Sequence, residues 1–366
     1  MKVGIVTFHR AENFGATLQA YALQTYLTQQ GYAAEIIDYR CPSIERNYDV
    51  FNPRILWSRK NALISLKIYL KRFLNIKDRI EKKNRFKEFW TKYYRLSSSM
   101  SKITQDLGYD VYITGSDQVW NLHLTGGVDK VYFLSFPMKH EAKKISYAAS
   151  AENDPKGLLW KNKELISGYL KSFDLISVRE EFLRADLKRY IENPISVCLD
   201  PTFLLDKECY EDIAIMPENV GKYVLVYHMT PLSESVSLAN KIASVRGCRV
   251  IEIFGGYSGS KDKERYKSNL GPAEILGYIA CADTIVTTSF HGLALSLIMN
   301  KDFWIVNHSG NYRQRNLLTQ LGLDSRMVEN HKTCDIDQAI DYSVVNATMS
   351  DLVKRSKSFL QEFMAE

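Results

Sequence analysis

Three residues stand where an α/β chain places reactive groups. His291, Arg179 and Asp117 each follow a short β-like run and lie at or near the start of a helical one. In open parallel sheets, ligands gather outside the carboxyl ends of the strands, and a following helix N-terminus favours anions. An imidazole at position 291 suits proton delivery or a phosphate contact, the alternative being a capping or core histidine. A guanidinium at position 179 suits a two-pronged grip on phosphate or carboxylate, the alternative being an ion pair with Glu180 or Glu181. Asp117 sits in Gly115-Ser116-Asp117, where glycine lets a ligand approach the backbone. It is suited to take a proton from a hydroxyl, or else to form an Asx turn or cap. Trp120 beside it either stacks on a sugar ring or packs in the core. In the loop His9–Gly15, Asn13 and Gly15 offer amides to a substrate, with helix capping the alternative for Asn13. That loop is no GxGxxG fingerprint, so a dinucleotide is unsupported.

The elements that position these residues follow from periodicity. Val3 to Phe8 predicts a buried strand. Thr17 to Gln30 predicts a helix with Leu18, Tyr21, Ala22 and Tyr26 on one face, stopped by Gly31. Glu35–Tyr39 predicts the next strand, completing a parallel α/β unit. Strands are expected at Val111–Thr114, Ile145–Ser150, Leu175–Arg179 and Val197–Leu199. A second rhythm follows, with strands at Tyr223–Tyr227, Arg249–Ile253, Thr284–Thr287 and Phe303–Val306. Its helices are Leu232–Arg246, Pro272–Cys281 and Gly292–Met299.

The chain has 366 residues, 45% hydrophobic and 25% charged. Disorder, collagen and a coiled coil are thereby excluded as the main architecture, and two or three domains are expected. A net charge of +6 is mild, but its distribution is not even. Arg54 to Arg95 carries fourteen Lys or Arg against three Asp or Glu, a local +11 with bulky apolar residues interleaved. One or two basic amphipathic helices are expected there. They form either a solvated face or a docking surface for anionic membrane, with nucleic acid disfavoured because the rest of the chain is net acidic. Six cysteines without CxxC spacing and seven histidines without HxH or HExxH spacing argue against a metal. The cysteines read as reduced thiols. The start of the chain does not read as a signal peptide, and no apolar run reaches the roughly 20 residues that cross a bilayer. A cytoplasmic protein, peripheral at the inner face of the membrane, is the expectation.

Several motifs together resemble the polysaccharide pyruvyl transferase family. They are Thr7-Phe8-His9 with Asn13-Phe14-Gly15-Ala16-x-Leu18-Gln19-Ala20-Tyr21-Ala22-Leu23, then Gly115-Ser116-Asp117-Gln118-Val119-Trp120-Asn121, Ser177-Val178-Arg179-Glu180, Leu199-Asp200-Pro201-Thr202 and Thr288-Ser289-Phe290-His291-Gly292. They run in family order over roughly residues 3–325. The resemblance implies two Rossmann-like α/β domains in a GT-B-like arrangement with the active site in the interdomain cleft. Residues 1–205 would form the acceptor side, carrying the basic insertion 54–95. Residues 206–345 would form the donor side and 346–366 a C-terminal helix.

The resemblance also implies transfer of pyruvate from phosphoenolpyruvate to a sugar, lipid-linked or free, as a cyclic ketal, with no cofactor and no metal. Asp117 and His291 are the catalytic candidates. Arg179, Ser289, Asn13, Gly15, Ser116, Asn121 and Arg313 are the substrate-binding ones. One departure stands out. Many members of the family carry Arg-x-His where this chain has Ser289-Phe290-His291, and that arginine is implied to hold the donor anion. Arg313 or Arg315 is the candidate replacement. The competing readings are a GT-B glycosyltransferase using a nucleotide sugar, although no diphosphate-binding cluster is evident in the C-terminal half, and a non-catalytic carbohydrate-binding relative.

Overall fold

The computed structural model describes residues 1–49, 75–151, 153, 157–228, 232–254, 262–306, 312–329 and 334–363. Residues 54–74 of the basic segment lie outside these. The chain divides into two units. One comprises Met1–Arg46, Tyr93–Leu205 and Asn346–Glu366, the other Asn47–Lys92 and Asp206–Val345.

The first unit holds a sheet of β1 (Lys2–Val6), β2 (Ala33–Ile36), β3 (Val111–Thr114), β4 (Lys143–Ala149), β5 (Leu175–Val178) and β6 (Ile195–Val197). The order is β2-β1-β3-β4-β5-β6 and every pair is parallel. The second unit holds β7 (Tyr223–His228), β8 (Arg249–Phe254), β9 (Tyr266–Lys267), β10 (Thr284–Thr287), β11 (Asp302–Val306) and β12 (Met327–Val328). The order is β12-β11-β10-β7-β8-β9, again all parallel. Strands covered on both faces read as continuous apolar runs. Val224, Val226, Val286 and Trp304 accordingly meet Leu238 and Ile242 in one core. The two Rossmann-like α/β units expected from the sequence are present. In each sheet the strand order reverses once, between β1 and β3 and between β7 and β10. Such reversals open the crevices where α/β proteins bind ligands.

Element boundaries show what the periodicity missed. The first helix spans Phe14–Gln29, starting before the expected Thr17 because Asn13 Oδ1 accepts from Ala16 N at 3.1 Å. Gly15 therefore lies in the first helical turn and not in the loop. Pro272–Cys281 and Thr284–Thr287 form where expected, and Gly247 at φ +60° ends the helix Ser233–Arg246.

The domain grouping differs from the sequence division in two places. The basic insertion 54–95 was placed in the N-terminal domain, but residues 47–92 group with the second unit. The helix Ile76–Tyr93 turns Arg79, Lys82, Phe86, Phe89 and Trp90 inward. Asp78 accepts from Ser268 Oγ at 2.6 Å and pairs with Lys263, and Arg85 pairs with Glu274 at 3.0 Å. Arg79 and Lys82 are thus directed into the protein, while Lys77, Lys87 and Lys92 stay exposed. The C-terminal residues Asn346–Glu366 belong to the first unit, where Leu199 N donates to Ser356 Oγ at 2.9 Å and Phe359 lies against Tyr147. No helix among the described residues is long and apolar enough to cross a membrane.

Candidate active site

In the first unit, the chain leaving β1, β3, β4, β5 and β6 builds one buried polar network. Thr7, just past β1, donates to the Ser116 carbonyl at 3.4 Å and accepts from Gln19 Nε2 at 2.8 Å. Ser116, past β3, donates its hydroxyl to Asp200 Oδ2 at 3.1 Å. Arg179, past β5, donates from Nη1 to the same oxygen at 2.7 Å, from Nε to Glu180 Oε1 at 2.9 Å and from Nη2 to Ser150 Oγ at 3.1 Å. Ser150, past β4, donates to Glu180 Oε1 at 2.9 Å. Asp200 Oδ1 receives Thr202 N and Oγ1 at 3.0 and 2.9 Å. Burial opposes the Arg179 charge, but Glu180, Asp200 and Asp117 outweigh it and hold its pKa above the ordinary value. The ion-pair alternative at Arg179 is thus realised, the guanidinium acting as an internal counter-charge that fixes Asp200 and Glu180.

Asp117 differs from its neighbours in exposure. Asp200 and Glu180 are buried, whereas Asp117 is half-buried at the turn after β3. Its φ of +60° is the left-handed region that aspartate tolerates. Oδ1 accepts from Gln118 N at 2.8 Å, and its carbonyl accepts from Ser150 N at 3.0 Å. The Asx-type contact and a reachable carboxylate thus coexist. Gly115 precedes it at φ +118°, and a methyl group there would overlap the Tyr147 carbonyl. Gly115→Ala is expected to cost about 1–3 kcal/mol through backbone strain, more if β4 must move. A lowered denaturant midpoint would report it, and an unchanged midpoint would refute this account of the glycine.

The remaining first-unit candidates mainly organise local structure. Asn13 caps its helix, and Asn121 Oδ1 accepts from His123 N at 3.1 Å while Nδ2 donates to Gln118 at 2.6 Å. Trp120 is fully buried, stacked on Phe133 with its Nε1 donating to the Tyr132 carbonyl at 3.0 Å, so the core reading describes it.

A second cluster was only faintly legible. His9 contacts the Thr7 carbonyl through Nδ1 at 3.0 Å and Asp38 Oδ1 through Nε2 at 2.9 Å, and Arg10 grips both Asp38 oxygens. Burial raises the Asp38 pKa, but hydrogen bonds and charge from His9 and Arg10 outweigh it and hold the carboxyl well below the usual range. A lowered folded-state pKa means stabilisation that is full above the unfolded value, near 4, and lost as pH falls through the folded value. The first unit should weaken progressively below about pH 4. Asp38→Asn should flatten that slope in urea titrations at stepped pH.

In the second unit, Ser289 caps the helix Phe290–Ile298. Its Oγ accepts from Gly292 N at 3.3 Å and its N–H donates to Thr287 Oγ1 at 2.9 Å. Thr287 Oγ1 in turn donates to the Tyr227 carbonyl at 2.5 Å, tying β10 to β7. His291 occupies the first turn of this helix, buried, with Phe290 edge-on at 5.4 Å. Gly292 is required because a side chain would meet Thr287 Oγ1.

Gln314, absent from the sequence candidates, is buried and donates from Nε2 to the Thr288 carbonyl at 3.0 Å. Arg313 and Arg315 adjoin it on the helix Tyr312–Gln320, each turned about 100° from the position that meets Thr288. His228, also missed, ends β7. Among the described residues, no group of three or more His, Cys, Asp or Glu is placed to hold a metal ion.

A family model described as polysaccharide pyruvyl transferase matches residues 13–310. None of the curated proteins matches the chain. Similar solved structures include the UDP-GlcNAc 2-epimerase of Methanocaldococcus jannaschii, 12% identical over 96% of this chain and 93% of that one, with a TM-score of 0.44. Another is S. aureus MnaA with UDP, 9% identical over 100% and 97%, TM-score 0.48. A third is the E. coli heptosyltransferase WaaC with ADP, 11% identical over 96% and 100%, TM-score 0.38.

Proposed function

The chain belongs to the polysaccharide pyruvyl transferase family, a family of transferases, and on that premise we propose that phosphoenolpyruvate is its donor and a cyclic ketal its product. The acceptor is a sugar of a cell-surface polysaccharide precursor. The family match carries this reading, because it covers the turn after β3 that holds Asp117 and the helix start after β10 that holds His291.

A proton reaches the donor's methylene carbon, making it a methyl group. Two sugar oxygens bond to C2, and the C2–O bond to phosphate breaks, phosphate keeping the electron pair. Of the two hydroxyl protons released, one replaces that given to the methylene and one leaves on phosphate. Asp117, half-buried beside the buried Asp200 and Glu180, takes a hydroxyl proton. His291, at a strand end and in a first helical turn, delivers the proton or steadies the phosphate. No cofactor is needed for these steps.

Release of inorganic phosphate from phosphoenolpyruvate, dependent on free or lipid-linked oligosaccharide, tests the proposal. Thermal stabilisation by a nucleotide sugar, with none by phosphoenolpyruvate, would instead favour a glycosyltransferase. Binding of sugar without turnover would favour a carbohydrate-binding relative. Docking on anionic membrane rests on residues 54–74 together with the exposed Lys77, Lys87 and Lys92. Flotation with anionic vesicles should show binding that charge reversal there removes; wild-type protein that fails to float would overturn it.

A further inference from the structure

We propose that His228 is a donor-binding residue, its imidazole hydrogen-bonding the anionic end of the three-carbon donor at the end of β7. This inference rests on the pyruvyl-transfer reading and adds a residue to it.

Position is the first argument. Strand order in the second sheet reverses between β7 and β10, so the crevice of that sheet lies at their carboxyl ends. The register pairs Tyr227 with Thr287. His228 is the next residue on β7, level with Thr288, where the chain turns toward Ser289 and His291. The nine-residue helix Phe290–Ile298 starts there, its N-terminus adding partial positive charge.

The Thr287 and Ser289 side chains are satisfied at this corner, whereas His228 Nδ1 is not. Thr287 Oγ1 serves the Tyr227 carbonyl and Ser289 N, Ser289 Oγ serves Gly292 N, and Gln314 Nε2 serves the Thr288 carbonyl. His228 is 2% exposed, yet its Nδ1 is buried with no hydrogen-bond partner among the described residues. Its ring meets Phe254 edge-on at 5.5 Å. A buried ring nitrogen left without a partner calls for an occupant.

Charge decides which occupant. Burial lowers the His228 pKa, and the opposing effect of Glu252 does not cancel it. Glu252 itself is paired with Arg265 at 2.7 Å. The ring is therefore neutral near pH 7, with one N–H to donate to the carboxylate or phosphate of a donor, the charge of the neighbouring Glu252 being offset by Arg265. A donor anion beside it would favour the protonated ring, strengthening the contact.

The test uses full-length protein labelled with ¹⁵N in its histidines, titrated with phosphoenolpyruvate. The Nδ1 resonance lost in His228→Ala should shift on saturation in the wild type. Calorimetry should show phosphoenolpyruvate binding weakened at least tenfold in His228→Ala and within about threefold of wild type in His228→Asn, whose amide lies near Nδ1. Phosphoenolpyruvate that binds the wild type without moving the His228 signal, assigned by its loss in either His228→Ala or His228→Asn, overturns this inference alone. Phosphoenolpyruvate that fails to bind the wild type overturns the pyruvyl-transfer reading, and this inference falls with it.

Discussion

Arg179→Met is expected to destabilise the first unit by about 3–5 kcal/mol, the cost of leaving buried carboxylates without their counter-ion. Asp200 is fully buried and Glu180 nearly so, and both take hydrogen bonds from this one guanidinium. Methionine fills the stem out to Nε but leaves both carboxylates without this counter-ion and strips a donor from Ser150. Lysine should rescue little, because one ammonium cannot span the three directions that Nε, Nη1 and Nη2 serve. Pairing Arg179→Met with Asp200→Asn and Glu180→Gln should recover part of the loss, since the neutral amides remove the uncompensated charge. Equilibrium denaturation of the four proteins checks the prediction. Equal midpoints for wild type and Arg179→Met would mean that the ion pairs contribute nothing net.

That network shows which parts of the site a sequence discloses. The strand ends were legible, because Val-Tyr-Ile-Thr, Leu-Ile-Ser-Val and Thr-Ile-Val-Thr are short apolar runs broken by polar residues. Arg179, Asp117 and His291 could be placed at strand ends from that alone. Their partners could not. Ser150 and Asp200 lie 29 and 21 residues from Arg179 and reach it because β3, β4, β5 and β6 are neighbours in that order. Nearest-neighbour charge suggested Glu180 or Glu181. Glu180 is used, whereas Glu181 turns out to bind Arg184.

The basic segment was legible as charge but not as contacts. A count of charges treats every lysine as solvated, but Arg79 and Lys82 are buried and Arg85 and Asp78 are paired to residues far along the chain. The helix Phe14–Gln29 is buried on nearly every side, so a search for one apolar stripe finds its middle and loses its start. His228 carried one available signal, as the last residue of a buried run that ends a central strand. A screen for metal spacing could not see it.

His291→Ala is expected to lower phosphate release from phosphoenolpyruvate by about 10²–10⁴-fold, the usual contribution of a positioned acid or base. The fold should survive, because Ser289 and not His291 caps the helix, and the Thr287–Tyr227 and Gln314–Thr288 bonds that fix this corner do not involve the imidazole. Comparison with Asp117→Asn then separates the two roles. If His291 handles donor chemistry and Asp117 the acceptor hydroxyl, Asp117→Asn should lower kcat with donor KM unchanged, while His291→Ala should also remove one limb of the pH–rate profile. A residue that only packed the corner would shift thermal stability and leave both limbs in place. His291→Ala with full activity and a lowered melting temperature would therefore remove this histidine from the mechanism and return it to the core reading.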